Sequence, residues 1–211
     1  MDNDFIKKYL SGEPLKENGT PSEEEILRDL QNVLSEEKFT HSLGVSEEAC
    51  RLAEIYGGDR ERCRVAGLLH DCAKWVKPEQ LMLIGKCVAD FGNGFDYNGV
   101  NRRVVHGPLG AFVAEHRYGI RDKIILDAIA NHVTGAPEMS LESVIIFLAD
   151  YTERNREGEF FELIRRKISE EGLYAAVAAS CEGTIRLILE RGEPIDVRTV
   201  YTRNWALTKI Q

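Results

Sequence analysis

Long hydrophobic runs are missing from this sequence of 211 residues. Residues 144–149, one of the longest such runs, are far fewer than the about 20 apolar residues that cross a membrane as a helix. The start of the sequence also lacks the basic and apolar segments of a secretory signal. We therefore expect a cytoplasmic protein without a membrane partner.

Paired cysteines are missing as well. The five cysteines include no Cys-x-x-Cys pair, and their number is odd. The pattern therefore indicates neither a disulfide framework nor a zinc site built from thiolates. We expect buried, reduced thiols, as is usual for cysteines of cytoplasmic proteins.

Positive charge is scarce, because 27 Lys and Arg stand against 35 Asp and Glu, which gives a net charge of −8. Binding to duplex nucleic acid without sequence preference needs clustered positive charge. We therefore expect no nucleic acid polymer among the partners. A small polyphosphate ligand held in a local basic pocket remains compatible with this charge.

Strand-like alternation of β-branched residues is almost absent, whereas apolar residues recur at the spacing of α-helices. We predict an all-α fold with a single helical domain at residues 22–205, preceded by a lead-in segment at residues 1–21. The C-terminal helices, from about residue 159 onward, are expected to pack on the main helical bundle.

Capping residues, glycines and prolines divide the chain into predicted helices. Thr20 is predicted to cap the first helix, with Pro21 at its first position and Glu23 completing a capping box. The other predictions are a helix at about residues 39–56, a third capped by Asp59, a fourth opened by Pro78, a loop at residues 90–101, and helices at about residues 108–118, 120–133, 141–152, 159–171 and 173–191.

Histidine and carboxylate side chains interrupt several apolar helix faces. His70 and Asp71 end the apolar face of residues 65–69. Neighbouring residues in a helix point about 100° apart, so both side chains can meet only at a helix end, where the backbone bends. A buried His–Asp pair is costly unless its charge is paired or bound to a metal. By the same spacing, His132 and Asp150 should face inward, and an inward carboxylate needs a partner.

Two imidazoles and two carboxylates from three helices form a candidate metal site: His41, His70, Asp71 and Asp150. Imidazole and carboxylate without thiolate suit Fe, Mn, Zn or Mg better than a structural zinc site. Four protein ligands on a six-coordinate ion leave positions for substrate and for a water whose lowered pKa supplies hydroxide near neutral pH. The alternative for each histidine is a hydrogen-bonded core residue, and spacing alone leaves both interpretations open.

Several blocks of sequence, taken in order, resemble a known family. His41, residues 68–74 and Asp150 are similar to the HD-domain metal phosphohydrolase superfamily. The resemblance is closer to one branch, the bacterial YqeK-type symmetrical diadenosine tetraphosphate hydrolases. It covers about residues 22–205 and implies a helical bundle of the HD-domain type. The blocks that resemble this branch lie at residues 40–45, 105–111, 130–135 and 147–151.

The resemblance implies roles for individual residues. The segment after Asp150 departs from the pattern of the branch, because Arg154 stands where a proline is usual. This difference loosens the turn and adds a charge. The implied metal is iron, with Mn, Zn or Mg as alternatives. Its implied ligands are His41, His70, Asp71 and Asp150. The side chains implied at the phosphates and the nucleotide are those of His106, His132, Thr134 and Arg156.

The implied reaction is attack of metal-activated water on a central phosphorus of diadenosine tetraphosphate, which releases two ADP. Asp71 is expected to bind the metal and to orient the water. Lys74 is expected to reach the phosphates, and the alternative for it is a solvated lysine at a helix end. His106, beside a helix N-terminus that favours anions, is expected to donate a proton or to stabilise the leaving phosphate.

Two other functions remain compatible with the sequence. One is that of another HD phosphohydrolase, which acts on nucleoside monophosphates, and the other is that of a nucleotide-binding regulatory helical module. The expected partner is a dinucleoside polyphosphate or a nucleoside diphosphate. A homodimer is compatible with the sequence as well.

Overall fold

Nine α-helices dominate the part of the chain that the structure, a computed structural model, describes: residues 8–9, 13–16, 19–76 and 102–210. These residues include no β-strand, so the predicted all-α fold is confirmed. The predicted helix at Pro78 and the predicted loop at residues 90–101 lie outside the described residues. The helices are α1 (Glu23–Val33), α2 (Glu36–Tyr56), α3 (Arg60–Leu69), a short 3-10 helix (Arg102–Val105), α4 (His106–His116), α5 (Lys123–Asn131), α6 (Leu141–Thr152), α7 (Glu159–Glu171), α8 (Leu173–Glu190) and α9 (Val197–Thr208).

Polar side chains cap the beginnings of most of these helices. Each accepts a hydrogen bond from a backbone amide in the first turn, which satisfies a donor that the helix itself leaves unpaired. The capping residues are Ser22, Ser35, Asp59, Asp122, Ser140 and Asp196. The predicted cap at Asp59 is among them.

The first helix begins later than predicted. Ser22, not Thr20, is its N-cap, and the partner in the capping box is Glu25 rather than Glu23. The Ser22 hydroxyl accepts from the Glu25 amide at 3.3 Å, and the Glu25 carboxylate accepts from the Ser22 amide at 2.7 Å. This register places Glu23, Glu24 and Glu25 in the first turn, where the helix dipole favours negative charge.

Three other helices begin at a residue that differs from the predicted start, and one helix is absent from the sequence predictions. α2 begins at Glu36 because Ser35 caps it, so His41 lies inside the helix instead of opening it. α4 begins two residues before its predicted start, and α5 begins three residues after. α9 is the helix that the predictions lack, and its start is marked in the sequence only by the capping residue Asp196.

α6 is the central helix of the fold and packs against α2, α3, α5, α7 and α8. Its residues 144–149 have at most 1 % of their surface exposed. Although it is so apolar, neither α6 nor any other described helix is long and apolar enough to span a bilayer. A helix that is apolar on all sides is stable when other helices surround it. The hydrophobic run therefore fixes α6 in the core and sets the position of Asp150, the residue that follows the run.

Two glycines let helices approach closely beside the histidine motifs. A Cβ at Gly67 would lie 2.8 Å from the backbone of Ser46, so α3 packs directly against α2 there. A Cβ at Gly107 would lie 2.6 Å from the carbonyl oxygen of Ala130, so α4 packs directly against α5. A larger residue at either position would push these helices apart, and with them the histidines that they carry.

The described part of the N-terminal segment packs against the helical bundle. Tyr9 is fully buried, and its hydroxyl donates to the carbonyl oxygen of Cys72 at 2.9 Å. The same hydroxyl lies 2.9 Å from that of Tyr118. The backbone amide of Leu15 donates to the carbonyl oxygen of Arg117 at 2.9 Å. Residues ahead of α1 thus contact both the end of α4 and the turn after α3, while the domain boundary at residue 21 stays a prediction.

A buried ion pair joins α1 to the residue after α4. Arg117 donates from Nε and Nη2 to the two carboxylate oxygens of Asp29, at 2.8 and 2.7 Å. The Tyr118 hydroxyl donates to the same carboxylate at 2.9 Å. Asp29 and Arg117 are each only 8 % exposed, so each neutralises a charge that water hardly reaches. The guanidinium also lies over the Tyr9 ring, 4.7 Å from its centroid.

We expect Asp29→Ala to lower the free energy of unfolding by about 3–5 kcal/mol, because it leaves the buried Arg117 charge unpaired. Chemical denaturation followed by circular dichroism measures this loss. Glu182→Ala is the matched control: it removes an exposed ion pair with Arg203, at 2.8 Å, and should cost less than about 1 kcal/mol. Equal losses in the two variants would contradict a stabilising role of the buried pair.

Candidate metal centre

The four side chains predicted as metal ligands lie close together in the structure. His41 comes from α2, His70 and Asp71 from the turn after α3, and Asp150 from α6. His41 Nε2 is 2.9 Å from Asp150 Oδ1 and 3.9 Å from Asp71 Oδ2. His70 Nε2 is 3.4 Å from Asp71 Oδ2. Three elements that are far apart in sequence thus present nitrogen and oxygen atoms to one small volume.

The end of α3 explains how two neighbouring residues reach the same point. α3 ends at Leu69, and residues 70–75 form turns instead of continuing the helix. The backbone amide of Lys74 donates to the carbonyl oxygen of Asp71 at 3.0 Å, which closes one of these tighter turns. The change of backbone geometry brings Asp71 beside His70, and both residues are fully buried.

His106 and His132 also reach this cluster, from the start of α4 and from the residue after α5. Their Nε2 atoms are 3.1 Å apart and lie 3.3 and 3.5 Å from Asp71 Oδ1. The resemblance implies that both line the phosphate site, and the structure places them against a predicted metal ligand. Among the described residues, three sets could each hold a metal ion, with ligand atoms within 4.8 Å of one another. The sets are His41 with His70 and Asp71, His70 with His132 and Asp150, and Asp71 with His106 and His132.

Backbone acceptors fix the orientation of two of these imidazoles. His70 Nδ1 donates to the carbonyl oxygen of Gly67, and His132 Nδ1 donates to that of Ile129, both at 2.7 Å. A carbonyl oxygen can only accept, so Nδ1 carries the hydrogen in each ring. In a neutral ring the lone pair is then on Nε2, the atom that faces the carboxylates. An acceptor behind the ring commonly aims the opposite nitrogen at a metal ion.

Glu153, which is absent from the predicted site, aims His41 in the same way. Its Oε1 atom accepts from His41 Nδ1 at 3.1 Å, and the residue is only 1 % exposed. Its Oε2 atom accepts from the backbone and side-chain amides of Asn155, at 2.7 and 2.9 Å. A Cβ at Gly44 would lie 2.5 Å from that oxygen, so this glycine of α2 makes room for the carboxylate. The signal in the sequence is the spacing of three residues from Asp150, which puts both acids on one side of the helix end.

Two buried atoms at the centre of the cluster have no hydrogen-bond partner among the residues that the structure describes: His70 Nε2 and Asp71 Oδ1. The nitrogens of His106 and His132 approach that oxygen at 3.3 and 3.5 Å, without the alignment of a hydrogen bond. A buried acceptor without a donor costs about 1–3 kcal/mol, and a cation between these atoms would remove that cost. Imidazole nitrogens and carboxylate oxygens are good ligands for Fe, Mn, Zn or Mg, so the residues fit a divalent ion.

Burial and proximity set the charges of the cluster. Burial alone would raise the pKa of the Asp71 carboxyl, but the surrounding imidazoles, His70 foremost, outweigh it and hold this pKa well below its usual range. Burial likewise opposes the shift at Asp150, whose pKa is held well below its usual range chiefly by the hydrogen bond from His41. Burial lowers the pKa of His70, which favours its neutral form. At neutral pH the site therefore presents ionised carboxylates and a neutral imidazole, the forms that bind metal.

Two positive side chains lie beside the carboxylates. Lys74 Nζ is 2.7 Å from Asp71 Oδ2, and Arg156 Nη2 is 2.6 Å from Asp150 Oδ1. The side chains of Lys74 and Arg156 are 35 % and 32 % exposed, so both also face solvent. A cation in this position, between ionised carboxylates and solvent, is suited to contact an anionic ligand.

Thr134, a predicted substrate contact, lies in the turn after His132. The residue is 2 % exposed, and its hydroxyl donates to the carbonyl oxygen of Gly135 at 3.0 Å. Gly135 packs against Thr202 of α9, where a Cβ would collide with the threonine side chain. Thr134 thus belongs to the turn that carries His132 and that α9 supports from behind, and its contact with substrate stays a prediction.

Known proteins similar to this chain cover most of its length. The model of the HD domain family matches residues 39–155. A Bacillus subtilis protein named symmetrical bis(5'-nucleosyl)-tetraphosphatase is 31 % identical over 185 residues, which are 88 % of this chain and 97 % of the relative. A protein of the same name from Halalkalibacterium halodurans is 36 % identical over 175 residues, which are 82 % of this chain and 91 % of the relative.

The fold also has a counterpart among solved structures. A crystal structure from Clostridium acetobutylicum, described as a predicted HD superfamily hydrolase involved in NAD metabolism, superposes with a TM-score of 0.83 at 35 % identity. The superposition covers 90 % of this chain and 100 % of the other. The similarity therefore extends over nearly the whole helical bundle.

We expect Mn²⁺ to raise the melting temperature of the metal-free protein, because the ion binds the folded cluster and not the unfolded chain. At about 100 times the dissociation constant the gain is about 2.7 kcal/mol, or about 5–10 °C for a chain of this size. Scanning fluorimetry with and without EDTA measures the shift. Asp71→Asn should lose most of it, whereas Glu190→Gln, at an exposed position of α8, should keep it. A full shift in Asp71→Asn would contradict the proposed location of the ion.

Proposed function

Because the chain belongs to the HD domain family, in a branch of symmetrical bis(5'-nucleosyl)-tetraphosphatases, we propose that it is a metal-dependent hydrolase that cleaves diadenosine tetraphosphate into two ADP. The observation that carries this proposal is the cluster of imidazoles and carboxylates around Asp71, in a chain that aligns with these relatives over most of its length.

In the proposed reaction, a water oxygen bonds to one of the two central phosphorus atoms of the tetraphosphate. The bond from that phosphorus to the central bridging oxygen breaks, and the bridge leaves with the second ADP.

His41, His70, Asp71 and Asp150 are the proposed ligands of the divalent metal ion. Iron is the proposed metal, with Mn, Zn or Mg as alternatives. Support comes from the Nε2 lone pair of His70, which faces Asp71, and from the buried atoms of His70 and Asp71 that have no hydrogen-bond partner among the described residues. HD domains bind divalent metals, and such an ion, when bound, makes a phosphoryl group more electrophilic and a water more acidic.

Asp71 has a second task in this proposal, which is to orient the attacking water. Its Oδ1 atom is buried and has no partner for a hydrogen bond in the described part of the chain, and the carboxyl is held in its ionised form. An ionised carboxylate oxygen accepts a hydrogen bond from water and can hold that water in line with the bond that breaks. Its other oxygen, Oδ2, is the one that lies near His70 and Lys74.

His106 is proposed as a hydrogen-bond donor to the substrate. The contact of 3.1 Å between the Nε2 atoms of His106 and His132 needs a hydrogen between them. Since Nδ1 of His132 carries the hydrogen of a neutral ring, the hydrogen of this contact belongs to His106. The Nε2–H group of His106 can then turn to a phosphate oxygen and stabilise the charge of the leaving group.

Lys74 and Arg156 are proposed to neutralise the tetraphosphate. Each cation pairs with a carboxylate of the cluster and is also partly open to solvent. A phosphate oxygen can join or replace the carboxylate oxygen at either cation, because both bonds are charge-assisted. A substrate that carries several negative charges gains most from two such groups at one site.

Several sequence predictions stay predictions here. They are the substrate contacts of His132 and Thr134, a location in the cytoplasm, the lack of a nucleic acid polymer among the partners, and a homodimer.

Product analysis tests the proposed function. Purified protein loaded with Fe²⁺ or Mn²⁺ should convert diadenosine tetraphosphate into ADP as the sole nucleotide product, measured by anion-exchange chromatography. Asp71→Ala should lower kcat by a factor on the order of 1,000 or more while its circular dichroism stays unchanged. Equal amounts of AMP and ATP would contradict symmetrical cleavage. Phosphate release from nucleoside monophosphates, without cleavage of the tetraphosphate, would favour the other HD phosphohydrolase.

We expect Lys74→Met to lower kcat/KM for diadenosine tetraphosphate about 10–100-fold, mostly through KM, because one charge-assisted bond to substrate is lost. Steady-state kinetics measures both constants. Lys123→Met removes an exposed lysine of α5 and should leave both unchanged. Unchanged kinetics in Lys74→Met would instead identify Lys74 as the solvated helix-end lysine.

A further inference from the structure

The turn after α6, residues 153–156, carries two side chains that contact the metal centre. Glu153 accepts from His41 Nδ1 at 3.1 Å. Arg156 donates from Nη2 to Asp150 Oδ1 at 2.6 Å and from Nε to the carbonyl oxygen of Asp150 at 2.8 Å. The position of this turn therefore sets the orientation of two proposed ligands at once.

One side chain of α7 holds this turn from the side away from the ligands. Arg165 donates from Nε to the carbonyl oxygen of Thr152 at 3.1 Å. From Nη2 it donates to the carbonyl oxygens of Glu153 and Arg156, at 2.9 and 2.7 Å. Its Nη1 atom pairs with Glu162 of the same helix. Carbonyl groups at a helix end lack partners within the helix, and a cation there is favoured by the helix dipole.

We propose that Arg165 is a positioning residue of the metal centre. By fixing residues 152–156 it holds Glu153 against His41 and Arg156 against Asp150, although it contacts neither of these ligands in the hydrogen bonds described above. The proposal rests on the proposed function, because it treats the cluster as the reactive site. Arg165 suits this task because its planar guanidinium offers donors in a fixed fork, which reach three carbonyl oxygens from one side chain.

The sequence of the turn makes such support necessary. The Arg156 amide donates to the Glu153 carbonyl oxygen at 3.0 Å, which closes a turn with Arg154 at its second position. A proline at that position would preset the backbone, but Arg154 does not restrict it. The side chain of Arg154 is 71 % exposed and forms an ion pair with Glu47, at 3.3 Å, which stabilises little. The restraint that a proline would give this turn is therefore supplied by Arg165.

Displacement of the turn would be transmitted directly to His41. The Glu153 Oε2 atom accepts from the backbone amide of Asn155, inside the turn, while its Oε1 atom accepts from His41. One carboxylate thus bonds both the turn and the ligand. Loss of a group that orients a metal-binding histidine typically lowers metal affinity or activity about 10–100-fold.

The test compares Arg165→Ala, Arg165→Lys and the neighbouring control Arg166→Ala, whose side chain is exposed. Affinity for Mn²⁺ is measured by calorimetry on the metal-free proteins, and kcat and KM on the loaded ones. We expect Arg165→Ala to weaken Mn²⁺ binding and to lower kcat by about 10–100-fold each. Arg165→Lys should fall between this variant and the wild type, because an ammonium lacks the planar fork. Arg166→Ala should match the wild type.

Two rescue experiments on Arg165→Ala distinguish a positioning role of Arg165 from a general loss of stability. Millimolar guanidinium ion should restore part of the Mn²⁺ affinity of Arg165→Ala by binding the same carbonyl oxygens. Arg154→Pro in the Arg165→Ala background should also restore part of it, because proline presets the turn. The backbone accepts proline there: Glu153 has ψ of 152°, and among the described residues no acceptor receives the Arg154 amide.

The outcomes decide the proposal independently of the proposed function. Wild-type Mn²⁺ affinity and kcat in Arg165→Ala would overturn the role of Arg165 and leave the hydrolase assignment in place. A loss of melting temperature with unchanged Mn²⁺ affinity would overturn it too, because it would show support of the fold alone. If Arg165→Ala does not fold, the affinity and kcat of Arg165→Lys decide in the same way. A wild-type protein that binds Mn²⁺ but does not cleave the tetraphosphate would overturn the proposed function, and the affinities would still decide the role of Arg165.

Discussion

Lone pairs and negative charges that face one another in a buried space repel, and the centre of this protein gathers several of them. His70 and His132 give their Nδ1 hydrogens to carbonyl oxygens, and His41 gives its own to Glu153. The Nε2 atoms of His70 and His132 then face the carboxylate of Asp71, at 3.4 and 3.5 Å. The positive charges of Lys74 and Arg156 offset part of this repulsion, and a cation bound between the ligands would offset more of it. The packing of the helices thus creates a cluster that could hold a cation.

The rest of the fold resists this repulsion. The apolar run of α6 fixes one carboxylate, and Gly67 and Gly107 let the helices that carry the histidines pack closely against their neighbours. Behind the turn of His70, the buried Tyr9 hydroxyl bonds the carbonyl oxygen of Cys72. Burial of apolar surface and a satisfied polar network therefore hold together groups that would separate in an open chain.

The sequence predicts the parts of this site that depend on local pattern. His70 and Asp71 interrupt an apolar face at a helix end, and Asp150 follows the buried run of α6, so each has a signal within one or two helical turns. Long-range contacts have no such signal. Asp29 and Arg117 pair across 88 positions and His41 and Glu153 across 112, and only the packing of the helices brings them together. Competing local signals cause the remaining errors, as where Ser22 rather than Thr20 caps α1.

The contact between Tyr9 and Cys72 spans 63 positions of the chain, and that between Tyr9 and Tyr118 spans 109. On the ribosome, Tyr9 is therefore made long before either partner emerges. Until α4 and the residues after it have been translated, Tyr9 cannot make its contact with Tyr118. The turn that carries His70 and Asp71 then lacks the full packing that Tyr9 provides. Closing so long a loop also slows folding. Because the cluster of imidazoles and carboxylates includes Asp150 of α6, it can be complete only after most of the polypeptide has been synthesised.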